Sequence, residues 1–241
     1  ESVFPSDMVY YDNTEPVIVI ESPVEGYVSD TPDITIVFCS CREDGGPLDI
    51  LGFTTDIIVI SNTLNADITQ ELTTDENFKY ILNVSFGDGG VNSLIIPKQT
   101  FTNLLGNYNT SDIIFNWSYI IPLTDSNIRA AVDNYINDIV TARQRYGNIE
   151  SWDTSNITDM SELFMNGRND IDTGNFNEDI SSWVTSSVTN MRKMFYNSGF
   201  GGDISEWDVS ELLWADLMFM KTTEFNTDIS EWDVSNVKSM S

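Results

Sequence analysis

The octapeptide Asp-Ile-Ser-Glu-Trp-Asp-Val-Ser occurs twice, at Asp203–Ser210 and at Asp228–Ser235. Tryptophan is costly to expose and is rarely repeated by accident, so the chain is written in units. Four tryptophans, Trp152, Trp183, Trp207 and Trp232, mark these units at steps of 31, 24 and 25 residues. Each is preceded three residues earlier by Ile149, Ile180, Ile204 or Ile229, and followed five residues later by Ile157, Val188, Leu212 or Val237. Eight residues after come Met160, Met191, Ala215 and Met240, then the pairs Leu163-Phe164, Met194-Phe195 and Met218-Phe219. Phe176, Phe200 and Phe225 open the following units. One such unit cannot bury its apolar face alone, and stacked units share a continuous core.

The spacing predicts a turn or short extended segment carrying the Ile and Trp. Ser155-Asn156 and Ser235-Asn236 then cap a helix of two to three turns. The expected core ladder is Trp152, Trp183, Trp207, Trp232, Ile180, Ile204, Ile229, Phe164, Phe195 and Phe219, with the rings packed inside rather than offered to a ligand. The first unit is longer by seven residues, around Asn166–Gly174, which reads as a surface loop. The last unit reaches Ser241 without the Met-Phe pair. Trp232, Val237 and Met240 are therefore expected to form an assembly edge, covered by further chain or by another subunit stacked head to tail.

Upstream the texture differs. Residues 1–14 read as a polar arm. From 15 to 121, short β-branched runs such as Ile34–Phe38, Tyr80–Phe86 and Ile113–Trp117 alternate with Gly, Pro and Asn turns, the pattern of an antiparallel β-sandwich. Pro122 closes that region. Residues 122–147 then carry one amphipathic helix, with Ile128, Ala131, Val132, Tyr135, Ile136, Ile139 and Val140 on its stripe and Gly147 as its stop. It is expected to cap the repeats of 148–241.

Eleven basic residues against 38 acidic ones give a net charge of -27. Such a surface repels nucleic acid and anionic lipid and favours cations or basic partners. The absence of histidine removes Ser-His-Asp, Cys-His and His-zinc chemistry from this chain. Cys39 and Cys41 share one face of a strand, too close in sequence for an unstrained bridge; they read first as two thiols, with a strained disulfide or a bridge to another chain as the alternatives. No apolar run is long enough to span a membrane, and Glu1–Pro5 does not resemble an initiator end or a signal peptide.

Asp179, Asp203 and Asp228 recur in register and are the candidate calcium ligands; capping of their own turns is the competing and preferred role. Residue types alone leave a glycosidase-style carboxylate pair open. Asn83, Asn109, Asn116 and Asn156 stand in N-glycosylation sequons. Tyr108, Tyr119 and Phe200 are the aromatics that a glycan groove would use.

The stretch Phe225–Val237, with Met-x-x-Met-Phe at Met191–Phe195, resembles the leucine-rich-like repeat of BspA-type surface proteins and mycoplasma lipoproteins. Over 15–121, Pro32–Phe38, Leu51–Ile57 and Leu104–Asn109 resemble a bacterial-type immunoglobulin-like domain. The ordinary leucine-rich consensus is absent. Together the resemblances imply a mostly β fold plus an α/β solenoid: an Ig-like antiparallel β-sandwich, a capping helix and a short leucine-rich-like repeat solenoid. They imply a non-enzymatic protein of the extracellular space, at a cell or virion surface, with a structural, filament-forming or adhesive role. The expected partners are other protein subunits, copies of itself first, with a glycan or host-surface receptor as the alternative. No nucleic acid, membrane insertion or cofactor is expected, calcium apart.

Overall fold

A computed structural model describes residues 18–23, 27–29, 31–40, 50–64, 67–74, 80–104 and 106–241. The chain divides into two compact units, one ending at Tyr119 and the other running from Ile120 to Ser241. The expected arm, 1–14, and Cys41 lie outside the described residues; Cys39 lies within a strand.

Among the described residues the first unit holds ten strands: β1 (Ile18–Ser22), β2 (Tyr27–Ser29), β3 (Asp33–Ser40), β4 (Ile50–Leu51), β5 (Val59–Asn62), β6 (Ile68–Thr74), β7 (Tyr80–Phe86), β8 (Gly90–Ile96), β9 (Thr102–Asn103) and β10 (Ile113–Tyr119). One four-stranded sheet has the order β1-β3-β7-β6 and a second the order β2-β10-β8-β5; β4 and β9 form a small third sheet. Alternation sets which side chains turn inward. Ile34, Ile36 and Phe38 of β3 and Leu82, Val84 and Phe86 of β7 are buried. They share one core with Leu94 and Ile96 of β8 and Phe115 and Trp117 of β10. Phe53 packs edge-on against Phe38, Tyr80 and Phe101, at centroid distances of 5.5, 4.6 and 5.7 Å. Asn62 and Asn92 are also buried, and satisfy each other through an amide hydrogen bond of 2.7 Å. Gly90 beside them has φ +135°, and a Cβ there would meet Thr63 Oγ1 at 3.0 Å.

The second unit begins with α1 (Ile128–Asn137) and α2 (Ile139–Tyr146). Ile128, Ala131, Val132 and Tyr135 lie at helical spacing and are buried. The single helix expected over this region is interrupted. Asp138 leaves helical geometry (φ -149°, ψ 82°), and its carboxylate accepts from the Thr141 N–H, starting a second helix. Ile139 and Val140 are consequently exposed. Gly147, at φ 76°, ends α2.

The expected fold class is corrected on both sides of this boundary. The first unit is not purely antiparallel, because β2 runs parallel to β10. Beyond Tyr146 the expected solenoid of helices is not present: the repeats contain no α-helix and no solenoid arrangement, only turns, two three-residue 3-10 segments and isolated bridges, and the sheets are three small ones in the first unit. The reason is local. Ten residues after three of the tryptophans, Glu162, Lys193 and Leu217 adopt left-handed φ of 58°, 54° and 58°. A left-handed residue at that point stops a helix. The apolar positions that suggested helices are instead ends of successive tight turns. Ile157 N–H donates to Thr154 O, Val188 to Thr185 O and Leu212 to Val209 O, at 2.8–3.0 Å.

Candidate functional site

What the repeats lack in regular structure they gain in contacts between units. Met160, Glu162, Phe164 and Asn166 donate their N–H groups to Asn190, Arg192, Met194 and Tyr196 carbonyls, at 2.8–3.0 Å. Met191, Lys193, Phe195 and Asn197 repeat this onto Trp214, Asp216, Met218 and Met220, and Ala215 and Leu217 onto Ser239 and Ser241. Parallel bridges link Asp159, Asn190, Trp214 and Ser239 in turn. The indole N–H groups point the other way. Trp183 donates to Ile149 O at 2.8 Å, Trp207 to Ile180 O at 3.2 Å and Trp232 to Ile204 O at 3.2 Å.

Rings fill the interior. Phe164, Phe195 and Phe219 stack at 5.6 and 5.8 Å with their planes nearly parallel. Phe176, Phe200 and Phe225 form a second column at 6.2 and 6.4 Å. The columns touch at 4.1 Å between Phe164 and Phe176 and at 4.2 Å between Phe195 and Phe200. Trp152 and Trp183 stack at 5.9 Å. Of the expected ladder, Trp152, Trp183, Trp207, Ile180, Ile204, Phe164 and Phe195 are buried, while Trp232, Ile229 and Phe219 are only partly buried. Gly199 has no room for a side chain: its amide donates to Thr173 O, and a Cβ would sit 2.0 Å from Gly174 O.

The two ends of the column differ. At the first unit, Tyr135 and Tyr146 close over Trp152, each at 6.1 Å, and the Trp152 indole N–H donates to Gly147 O. Asp125 accepts from the Thr158 and Asp159 N–H groups. Burial pushes the Asp125 carboxyl up, but these bonds and the one from the Thr158 hydroxyl outweigh it and hold the group below the usual Asp range. Arg129 binds the Asp159 carboxylate and Ser161 O. Burial raises the Tyr135 hydroxyl, which accepts from Arg143 and donates to Glu178. The seven-residue excess of the first unit is fastened by Arg168, which is buried against the Asp133 carboxylate and donates to Glu162 O and Leu163 O.

At the last unit nothing comparable lies over the rings among the described residues. An apolar concavity of about 710 Å³ opens there, lined by Leu217, Met218, Phe219, Met220, Ile229, Trp232, Val234 and Met240 among others. Trp232 and Met240 of the expected edge line it. Val237 is partly buried and packs on the core instead. Met220 and Val234 were not among the edge residues read from sequence. The cue for Val234 was present, since its partner in the other octapeptide copy, Val209, occupies the same place in the repeat.

Asp179, Asp203 and Asp228 lie at the surface, each accepting from the N–H two residues ahead at 3.0 Å: Ser181, Ser205 and Ser230. Hydrogen bonds from those serines hold all three carboxyls below the usual Asp range. Among the described residues, no three His, Cys, Asp or Glu side chains gather as a metal centre requires. Of the sequon asparagines, Asn83 is exposed on β7, Asn156 is exposed in the first repeat and Asn116 is half-buried. Asn109 is buried, with its amide donating to Pro97 O and Ser111 O. Tyr108 is exposed, but Tyr119 and Phe200 are buried, so these three form no groove. Among the described residues, no helix is long and apolar enough to cross a membrane.

Comparison with known proteins adds a coarse placement. No curated protein and no solved structure matches the chain. No comparison supports an immunoglobulin-like or leucine-rich assignment. Residues 134–241, from within α1 to the last repeat, match the family model described as "Mycoplasma protein of unknown function, DUF285", and the repeat half of the chain is similar to that mycoplasma-associated family.

Proposed function

We propose that this is a non-enzymatic surface protein whose work is structural: it joins other protein subunits outside the cell, at a cell or particle surface, through burial of apolar repeat surface. The observation that carries the reading is the apolar surface of the last unit described, which calls for a covering unit whether from this chain or from another. Met240 is 58% exposed beside Val234, Met220 and Trp232. A contiguous apolar hollow on a chain of net charge -27 is a contact surface rather than a solvated one. The acidic remainder stays hydrated and keeps unrelated anionic surfaces away. The reading needs no cofactor.

Hydroxyl-radical footprinting tests it. Met220 and Met240 are expected to oxidise readily in the isolated chain and to be protected in the intact material that contains the protein. Equal oxidation in both would overturn the contact role.

A further inference from the structure

The two large sheets of the first unit turn unlike faces outward. Alternation along β3, β7 and β6 sets Asp33, Ser85 and Thr69 in one cross-strand row and Thr35, Asn83 and Glu71 in the next. The Thr35 hydroxyl donates to Asn83 Oδ1 along that second row, at 2.8 Å. This face is polar and carries carboxylates, as a solvated sheet face does. On the other sheet the outward rows are Ile114-Ile95-Val59, then Asn116-Ser93-Ser61, then Val28-Ser118-Val91. None of these side chains is charged, on a chain with 38 acidic and 11 basic residues. Val28, Ile114, Val59 and Val91 are 60, 56, 52 and 43% exposed. The core is filled from the opposite side of the same strands, by Phe115, Trp117, Leu94 and Ile96, so the outward aliphatics serve no interior of this chain.

We infer that this neutral face docks a second copy of the chain, sheet against sheet. The order of the rows is self-complementary. In the sheet, β8 lies between β10 and β5. A two-fold axis along β8 therefore sets Ile95 and Val91 on the same residues of the second copy, and Ile114 on its Val59. Ser93 meets its own counterpart, and Asn116 meets Ser61 of the second copy. Aliphatic groups meet aliphatic groups and hydrogen-bonding groups meet each other, as an isologous contact of aligned sheets requires. Charge selects the same occupant. Over most of its surface one copy of net charge -27 repels another, whereas here neither copy desolvates a charge. A basic partner would find no carboxylate on these rows to pair with. The rows cover on the order of 300–500 Å² per copy against ~800 Å² in a standard interface, so the dimer is weak, with a Kd of roughly 10–100 µM. No repeat residue takes part, so this contact stands apart from the one proposed above.

Sedimentation velocity of the full chain over ~1–200 µM, a range that brackets this Kd, tests the inference. A reversible monomer–dimer equilibrium is expected. It should strengthen as salt rises from ~50 to ~500 mM, because screening removes the repulsion between acidic bodies and leaves the aliphatic contact. Ile95→Lys puts two ammonium groups at the axis and should weaken the dimer by about tenfold or more. Val91→Lys, at a more open position, repeats the test if circular dichroism shows that the first variant has not folded. Thr69→Lys makes the same charge change on the polar face and should not weaken the dimer. Ser93→Cys should join two chains on oxidation, well above the level given by Cys39 and Cys41 in the unsubstituted chain. A chain that stays monomeric at both salt concentrations overturns the inference and leaves the face to a different protein. A dimer that Met240→Lys breaks and both lysine variants of this face leave intact overturns it in favour of the repeats. A dimer that salt weakens also overturns it.

Discussion

Two copies of one octapeptide have different fates in this molecule. In Asp203–Ser210, Trp207 is 3% exposed and Val209 2% exposed. In Asp228–Ser235 the same tryptophan position, Trp232, is only partly buried, and Val234 is 43% exposed. The local turns are the same: Trp207 N–H donates to Ile204 O and Trp232 N–H to Ile229 O, both at 3.2 Å. So are the Asx turns, with Asp208 accepting from Ser210 N–H and Asp233 from Ser235 N–H, each at 3.0 Å. Identical sequence thus fixes the identical turn, while burial belongs to the neighbour. Among the described residues the earlier copy has a unit packed on both sides and the later copy has one on one side.

The largest expected difference between the copies is in the tryptophans. Trp207→Ala opens a cavity between two units and should cost about 3–5 kcal/mol. Trp232→Ala should cost about 1–2 kcal/mol, because the ring is already part-solvated. Urea unfolding followed by tryptophan fluorescence reads both, since five of the six tryptophans lie in the second unit. Equal costs would mean that the last unit is as well covered as the others.

The capped end offers the next test. Arg168→Ala leaves the partly buried Asp133 carboxylate without its guanidinium, and a loss of about 3 kcal/mol is expected. Native-state hydrogen exchange should show that loss in α1 and the first unit before it reaches the last one. A uniform loss along the column would mean that the units unfold as one.

The valines come third. Val209→Ala removes two buried methyl groups, at about 2 kcal/mol. Val234→Ala should stay within about 0.5 kcal/mol, as surface changes do. The same urea series separates them. In the presence of a bound partner the second value should rise toward the first.

The smallest effect concerns acid. Hydrogen bonds from Ser210 and Ser235 hold the Asp208 and Asp233 carboxyls below the usual Asp range. A folded-state value below the unfolded one, about 3.9, contributes stability that is present above that pH. The contribution is lost as pH falls through the folded value. Both carboxylates are fully or almost fully exposed, so the two copies should respond alike. Comparing thermal unfolding between pH 5 and 3 for Asp208→Asn and Asp233→Asn checks this. A larger response at Asp208 would show that burial of the unit strengthens its caps.

Which positions carry the apolar side chains was legible from the period, because a stack repeats its interior contacts at the repeat length. Backbone conformation was not. The left-handed residues that replace the expected helices are Glu162, Lys193 and Leu217. None is a glycine or asparagine, so sequence gave no turn signal there. Their conformation is held by the inter-unit bonds of the same residues, Glu162 to Arg192, Lys193 to Asp216 and Leu217 to Ser241. Tertiary contact overrode local preference. Asp138 misled in a similar way: it falls within an unbroken apolar stripe, and only its own capping bond to Thr141 reveals the break. The role of Asp125 had no local cue, because its partners Thr158 and Asp159 lie more than 30 residues away. The open end face was half legible. Trp232 and Met240 follow from the truncated pattern, whereas Met220 and Val234 require knowing where the turns point.

Amide hydrogen exchange across the last two units is the most direct measurement. The N–H groups of Phe195, Asn197 and Ala215 are bonded to the next unit and should exchange slowly. Those of Phe219, Lys221 and Met240 have no acceptor among the described residues and should exchange near the rate of unstructured chain in the isolated protein. Equal protection of the two sets in the isolated chain would contradict the account, because burial and bonding of each unit would then not depend on the unit packed after it.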